Sequence, residues 1–132
     1  MPTLGRQMAS EMAEQPGVLA ELVGRRAAVQ VAVSECYDSS TAGTVVVARG
    51  SSDHAATGGR YLLEVATRRP VASASPSIHT LYKAGVDFSD YVVIAVSQSG
   101  RTPEIASVLE HAKRTGGRTI AITNDPGSPL AD

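Results

Sequence analysis

The chain has 132 residues, a formal net charge of −1 and a hydrophobic content of 42%, with only 4% aromatic residues and no Trp. That length holds one domain with a core, and the near-zero charge gives no electrostatic case for nucleic acid or an acidic membrane surface. The one cysteine, Cys36, excludes an internal disulfide and predicts a reducing, cytoplasmic setting; no apolar run approaches the ~20 residues of a membrane span, and the N-terminus, with Glu11 and Glu14, lacks the apolar core of a signal peptide.

Residues 1–5 are expected to be disordered. Residues 7–15 place Met8 and Met12 at i, i+4 and predict a short helix that Pro16 ends. From 18 to 37, Leu19, Leu22, Val29, Val33 and Cys36 recur at helical spacing, which predicts one amphipathic helix with Arg25 and Arg26 near its exposed side. A polar breaker at 38–43 leads to T-V-V-V-A over 44–48, a strand buried on both faces. The loop Arg49, Gly50, Ser51 and Ser52 precedes a helix expected over 53–67, with Ala55, Gly58, Leu62 and Val65 as its stripe. Gly58 and Gly59 each weaken a helix by about 1 kcal/mol, so their presence predicts close packing against a neighbour. Residues 70–75 read as a weaker strand, placed near a sheet edge by Pro70, and residues 76–83 as a short helical turn.

The most informative stretch follows. Residues 92–96, V-V-I-A-V, form an unbroken apolar run that predicts a central parallel strand. Ser97, Gln98, Ser99, Gly100 and Arg101 make a polar loop. Thr102 suits an N-cap, Pro103 the first helical position, and Glu104 the positive helix end. Ile105, Val108, Leu109 and Ala112 mark the buried face of that helix, and Gly116-Gly117 stops it. Residues 118–123 predict a fourth strand and 124–127 a turn. Ser128-Pro129 resembles another helix start. Strands alternating with helices predict a parallel sheet with right-handed crossovers.

Two strand–loop–helix junctions share one composition, residues 49–52 and 97–102. Both are expected at the carboxyl ends of strands, where open α/β sheets place ligands. Hydroxyls of Ser97, Ser99 and Thr102, free backbone N–H groups and a helix N-terminus converge on a point that suits an anion, above all a phosphate ester. Serine and threonine at helix starts also serve as plain caps that need no ligand; two such loops on one rim tip the reading toward a ligand site. Glycine frames for dinucleotides or nucleoside triphosphates and a G-x-S-x-G elbow are absent from the sequence. His54, His79 and His111 show no metal-ligand spacing. His111 is expected to be a solvated surface residue; His54 could face the ligand or cap its helix, and His79 is open. Cys36 reads as a core residue.

Four motifs in order resemble the sugar isomerase (SIS) domain family: E-M-A-E-Q-P over 11–16, A-R-G-S-S-D-H-A over 48–55, S-Q-S-G-R-T-P-E over 97–104 and A-I-T-N-D-P-G-S-P-L-A over 121–131. Within that family the chain most resembles the first SIS domain of the isomerase half of glutamine–fructose-6-phosphate transaminase and of SIS-type glucosamine-6-phosphate deaminases. The resemblance implies that Ser97, Gln98, Ser99, Gly100 and Thr102 bind the sugar phosphate, that Gly50, Ser51 and Ser52 line the same pocket, and that Arg49, His54 and Arg101 stand beside it. Arg49 replaces a usual cysteine and Arg101 a usual glutamate. In the resembled enzymes the catalytic glutamate, histidine and lysine lie in parts without a counterpart here, so no catalytic residue is assigned.

The expectation is therefore an α/β, three-layer αβα sandwich of flavodoxin-like type, its parallel sheet in the order 2-1-3-4 and without a fifth strand. Residues 1–43 would form a helical segment packing on a partial, C-terminally truncated SIS domain at 44–132, which leaves the strand at 118–123 as a bare edge. Its ligand would be a hexose or aminohexose 6-phosphate of the glucosamine 6-phosphate or fructose 6-phosphate type, bound without metal or organic cofactor. Partners would be a second copy, giving a homo-oligomer such as a dimer, or a second SIS domain, with neither nucleic acid nor membrane. The parent protein would be an isomerase, deaminase or aminotransferase-like enzyme and this part alone inactive. The alternatives are a single-domain isomerase working as an oligomer and a non-catalytic sensing domain of a regulator.

Overall fold

The computed structural model describes residues 5–132. Their contacts divide the chain into two units, residues 1–35 and 36–132. The first unit holds α1 (Arg6–Gly24) and α2 (Arg26–Glu35). This corrects the expected boundaries: Pro16 lies inside α1, and the break falls at Gly24-Arg25. Proline removes one N–H donor and Gly17 beside it is a poor helix former, yet the Ala-, Leu-, Met- and Glu-rich turns on either side, 8–14 and 19–22, continue the helix through both. No residue of either helix is buried among those described, and Met8, Met12, Leu19, Leu22 and Val23 of α1 are all exposed. The disorder expected for residues 1–5 lies outside the described residues except at Gly5, the left-handed N-cap of α1.

The second unit continues with β1 (Gly43–Ala48), α3 (Ser51–Thr67), β2 (Val71–Ser73), α4 (Pro76–Thr80), β3 (Tyr91–Val96), α5 (Pro103–Arg114) and β4 (Arg118–Ile122). The four strands form one parallel sheet in the order β2-β1-β3-β4. Alternation along β1 and β3 divides the core. Val45, Val47, Val93 and Ala95 face Ile105, Val108, Leu109 and Ala112 of α5. Val46, Ala48, Val92 and Ile94 face the other way, with Ala56 of α3. Both faces of the sheet are covered, which is why its strands read as continuous apolar runs. The result is the expected three-layer α/β sandwich.

The edges behave as their sequences suggest. β2 is an edge strand after Pro70, whose carbonyl accepts the Thr44 N–H at 3.0 Å. β4 pairs only with β3 among the described residues, and Ile122 is 54% exposed. At its start the Arg118 guanidinium meets Asp38 at 2.6 Å. The Ser40 hydroxyl foremost, aided by Arg118, pulls the Asp38 carboxyl down to about 2.

Three further readings are corrected. The inward face of α3 carries Ala56 and Leu63, while Leu62 and Val65, expected on its packing stripe, are 74% and 80% exposed. A Cβ at Gly58 or Gly59 would meet nothing within 4 Å, so these glycines do not serve a close helix approach. The segment after β4 is a series of turns, with Ser128 accepting from the Ala131 N–H at 2.9 Å, rather than the start of a helix. No helix among the described residues is long and apolar enough to cross a membrane.

Candidate functional site

The site follows from strand register. Ala48 at the end of β1 pairs with Val96 at the end of β3, and Val96 pairs with Ile122 at the end of β4. Parallel strands put all three carboxyl ends on one rim. The loops at 49–50 and 97–102, and the turn that follows β4, therefore leave the sheet side by side.

After β3 the chain is tightly held. Ser97 is buried, and its N–H donates to the Ile122 carbonyl at 3.0 Å. Its hydroxyl lies 3.3 Å from that of Thr102. Thr102 occupies the N-cap position of α5, yet its side chain makes no capping bond; its carbonyl instead accepts the N–H groups of Ile105 and Ala106, each at 3.1 Å. The Ser99 hydroxyl is exposed and accepts the Arg101 N–H at 3.3 Å. Gln98 turns its side chain to solvent, while its carbonyl accepts from Asn124 N–H at 3.1 Å and the Thr123 hydroxyl at 3.3 Å. Gly100 is buried at φ +62, where a Cβ would collide with Ser128 and crowd Thr123 Oγ1. Only glycine meets both demands, a left-handed backbone and no side-chain volume. Arg101 is exposed and donates to Asp125 Oδ2 at 2.8 Å. That bond foremost, with the Gly127 N–H, holds the Asp125 carboxyl below its ordinary value.

The loop after β1 is built differently. Gly50, at φ +60, is the N-cap of α3, so Ser51 and Ser52 are its first two residues; the helix had been expected to start at Asp53. Gly50 offers a carbonyl to the Asp53 N–H at 3.1 Å and no side-chain cap. Ser51 and His54 are exposed and Ser52 is half-buried. Arg49, also exposed, extends into solvent. None of these four side chains makes a hydrogen bond or ion pair to another described residue.

The remaining histidines lie elsewhere. His79 of α4 is buried against Phe88 and His111, with ring centroids 5.6 and 5.0 Å away. Burial first, and His111 second, lower its pKa. His111, expected to be solvated, is half-buried, and its Nε2 lies 2.9 Å from the Val86 carbonyl. A shallow cleft lined by Ala106, Leu109, Glu110, Lys113, Pro129 and Leu130 contains none of the expected site residues. No group of three or more His, Cys, Asp or Glu side chains among the described residues could hold a metal ion. What sequence reading missed is the part played by Thr123, Asp125 and Ser128; they stand in the fourth quoted motif, but only as a turn.

The comparisons with known proteins agree with this architecture. Glutamine–fructose-6-phosphate aminotransferase of Thermus thermophilus is 34% identical over 127 residues, covering 93% of this chain and 21% of that protein. The Clostridium tetani aminotransferase is 37% identical over 86 residues, 65% of this chain and 14% of the other. Among solved structures, a protein of Silicibacter pomeroyi assigned as a phosphosugar isomerase superposes with a TM-score of 0.79 at 35% identity, covering 94% of this chain and 38% of that one. The C-terminal domain of glucosamine-fructose-6-phosphate aminotransferase from Francisella tularensis superposes at 0.59 with 26% identity, covering 70% of this chain and 26% of that one. The chain thus spans about a fifth of the Thermus relative's length. The sequence profile described as the SIS domain matches residues 39–132, the stretch that contains the whole sheet and both loops, and the chain belongs to that family.

Proposed function

We propose that the rim formed by residues 49–54 and 97–102 binds a hexose or aminohexose 6-phosphate. The phosphate sits at the N-terminus of α5, among the hydroxyls of Ser97, Ser99 and Thr102, with Gln98 and Gly100 completing the loop. Gly50, Ser51 and Ser52 line the sugar's side, and Arg49, His54 and Arg101 stand at the edge. The observation that carries this reading is the Thr102 hydroxyl. It stands at a helix start and makes no cap, and instead lies 3.3 Å from the Ser97 hydroxyl. Polar groups so grouped at a positive helix end suit an anion. The names of the relatives, an aminotransferase acting on fructose 6-phosphate among them, support a sugar phosphate over other phosphate esters.

The reaction of the whole protein is read as aldose–ketose interconversion, in which a general base moves a proton between C1 and C2, with loss or transfer of ammonia at C2 in an aminosugar reaction. This domain contributes binding and orientation; no residue of it is assigned as the base. Calorimetric titration with fructose 6-phosphate, glucosamine 6-phosphate and inorganic phosphate tests the site. Replacing Ser99 by Ala should weaken binding by about 1–2 kcal/mol, since the lost bond goes to a charged oxygen. Unchanged affinity in that variant would leave the loop as a helix start and nothing more.

A further inference from the structure

We infer that the turn at residues 123–128 positions the anion loop, with Thr123 and Asp125 as its positioning residues; the inference rests on the phosphate site proposed above. Within the loop, the bonds Gly100 N–H to Ser97 carbonyl, 3.1 Å, and Arg101 N–H to Ser99 hydroxyl, 3.3 Å, are local. Its other anchors come from the last residue of β4 and the chain that follows it. Ile122 accepts from Ser97, Asn124 and Thr123 donate to the Gln98 carbonyl, and Leu130 N–H donates to the Gly100 carbonyl at 3.2 Å. Thr123 is the joint. Its one hydroxyl proton goes to Gln98, and its oxygen accepts the Asp125 N–H at 3.2 Å. Asp125 accepts the Gly127 N–H with one carboxylate oxygen and the Arg101 guanidinium with the other. The circuit leaves the loop at Gln98 and returns to it at Arg101. Beneath it, Ser128 is fully buried under Gly100 and Leu130 sits in the core beside α5. A turn so anchored holds the exposed Ser99 hydroxyl and the Arg101 charge in place before a ligand arrives, which lowers the ordering entropy of binding.

The test is calorimetric titration of fructose 6-phosphate into the wild type and the Thr123→Val, Thr123→Ser and Asp125→Asn variants, with a thermal melt of each. Thr123→Val keeps the shape and removes the hydroxyl; Asp125→Asn keeps an acceptor for Gly127 and removes the charge that holds Arg101. Each should weaken binding about three- to tenfold, as expected for one lost hydrogen bond in a positioning role. Thr123→Ser should bind within about twofold of wild type, and all three should melt near it. A merely structural role would lower the melting temperature and leave affinity alone. If wild type binds and both Thr123→Val and Asp125→Asn bind equally well, the positioning role is wrong and the phosphate site stands. If wild type binds no sugar phosphate, the site itself is wrong and this inference falls with it.

Discussion

The two loops on the rim are alike in composition and differ in support. Residues 97–102 follow a central strand, and a second stretch of chain is hydrogen-bonded to them nearly residue by residue. Residues 49–52 follow a strand just as buried, yet their side chains form no hydrogen bond or ion pair with another described residue. Both contain a glycine at positive φ. The difference teaches that hydroxyl-rich sequence at a strand end is a starting material. Whether it becomes a preorganised site depends on what stands beside it, and β4 with its following turn stands beside one loop alone.

Glycine substitution gives the largest expected contrast. Alanine at Gly50 or Gly100 meets positive-φ strain of about 1–3 kcal/mol. At Gly50 nothing lies within 4 Å of the added carbon, so strain is the whole effect. At Gly100 the collision with Ser128 adds about 1–3 kcal/mol more. Urea unfolding should therefore rank Gly100→Ala well below Gly50→Ala, and Ser128→Gly added to Gly100→Ala should recover only the collision. Equal losses at the two glycines would break the comparison.

Serine substitution should separate stability from binding. Ser97 is buried beside Thr102, so Ser97→Ala should weaken both folding and fructose 6-phosphate binding, by about 1–2 kcal/mol in the latter. Ser52→Ala removes a hydroxyl without a partner among the described residues, and should weaken binding alone. A thermal melt and a calorimetric titration of each variant decide it.

Acid offers a finer probe. Asp125 has its pKa lowered by Arg101 and then by Gly127 in the fold. In the unfolded chain it takes up a proton more readily, so its contribution is present above the ordinary value of 3.8 and fades as pH falls through the lower, folded value. Stability of the wild type should drop more steeply below that pH than stability of Asp125→Asn, by a modest amount, because the Arg101 partner is largely exposed and solvent screens the pair. Matching acid profiles would mean that the clasp contributes nothing.

The smallest effect belongs to Ser128. Its hydroxyl is buried with no hydrogen-bond partner among the described residues. Ser128→Ala removes an unsatisfied polar group and should change unfolding free energy by less than about 1 kcal/mol, toward greater stability. A marked loss of stability in urea would show that the hydroxyl has a partner in solution.

The sequence by itself determined the strands, their parallel pairing and the buried face of α5. Valine-rich runs and the spacing of Ile105, Val108, Leu109 and Ala112 are local signals, and burial on both faces of a sheet leaves them unmixed with polar residues. It also placed both polar loops at the carboxyl ends of their strands. Tertiary structure decided the rest. In α3, Leu62 and Leu63 are adjacent, and periodicity alone could not choose which would meet the sheet; Leu63 packs there and Leu62 faces outward. Pro16 reads as a stop because its missing N–H is a local fact, while continuation to Gly24 depends on the helix-forming turns before and after the Pro16-Gly17 pair. The support of the loop at residues 97–102 was hidden for a different reason. Thr123, Asp125 and Ser128 lie more than twenty residues along the chain from the groups they hold, and no period connects them. Only the pairing of β3 with β4 brings that turn against Gln98, Gly100 and Arg101, because a parallel register sets both strand ends on the same rim.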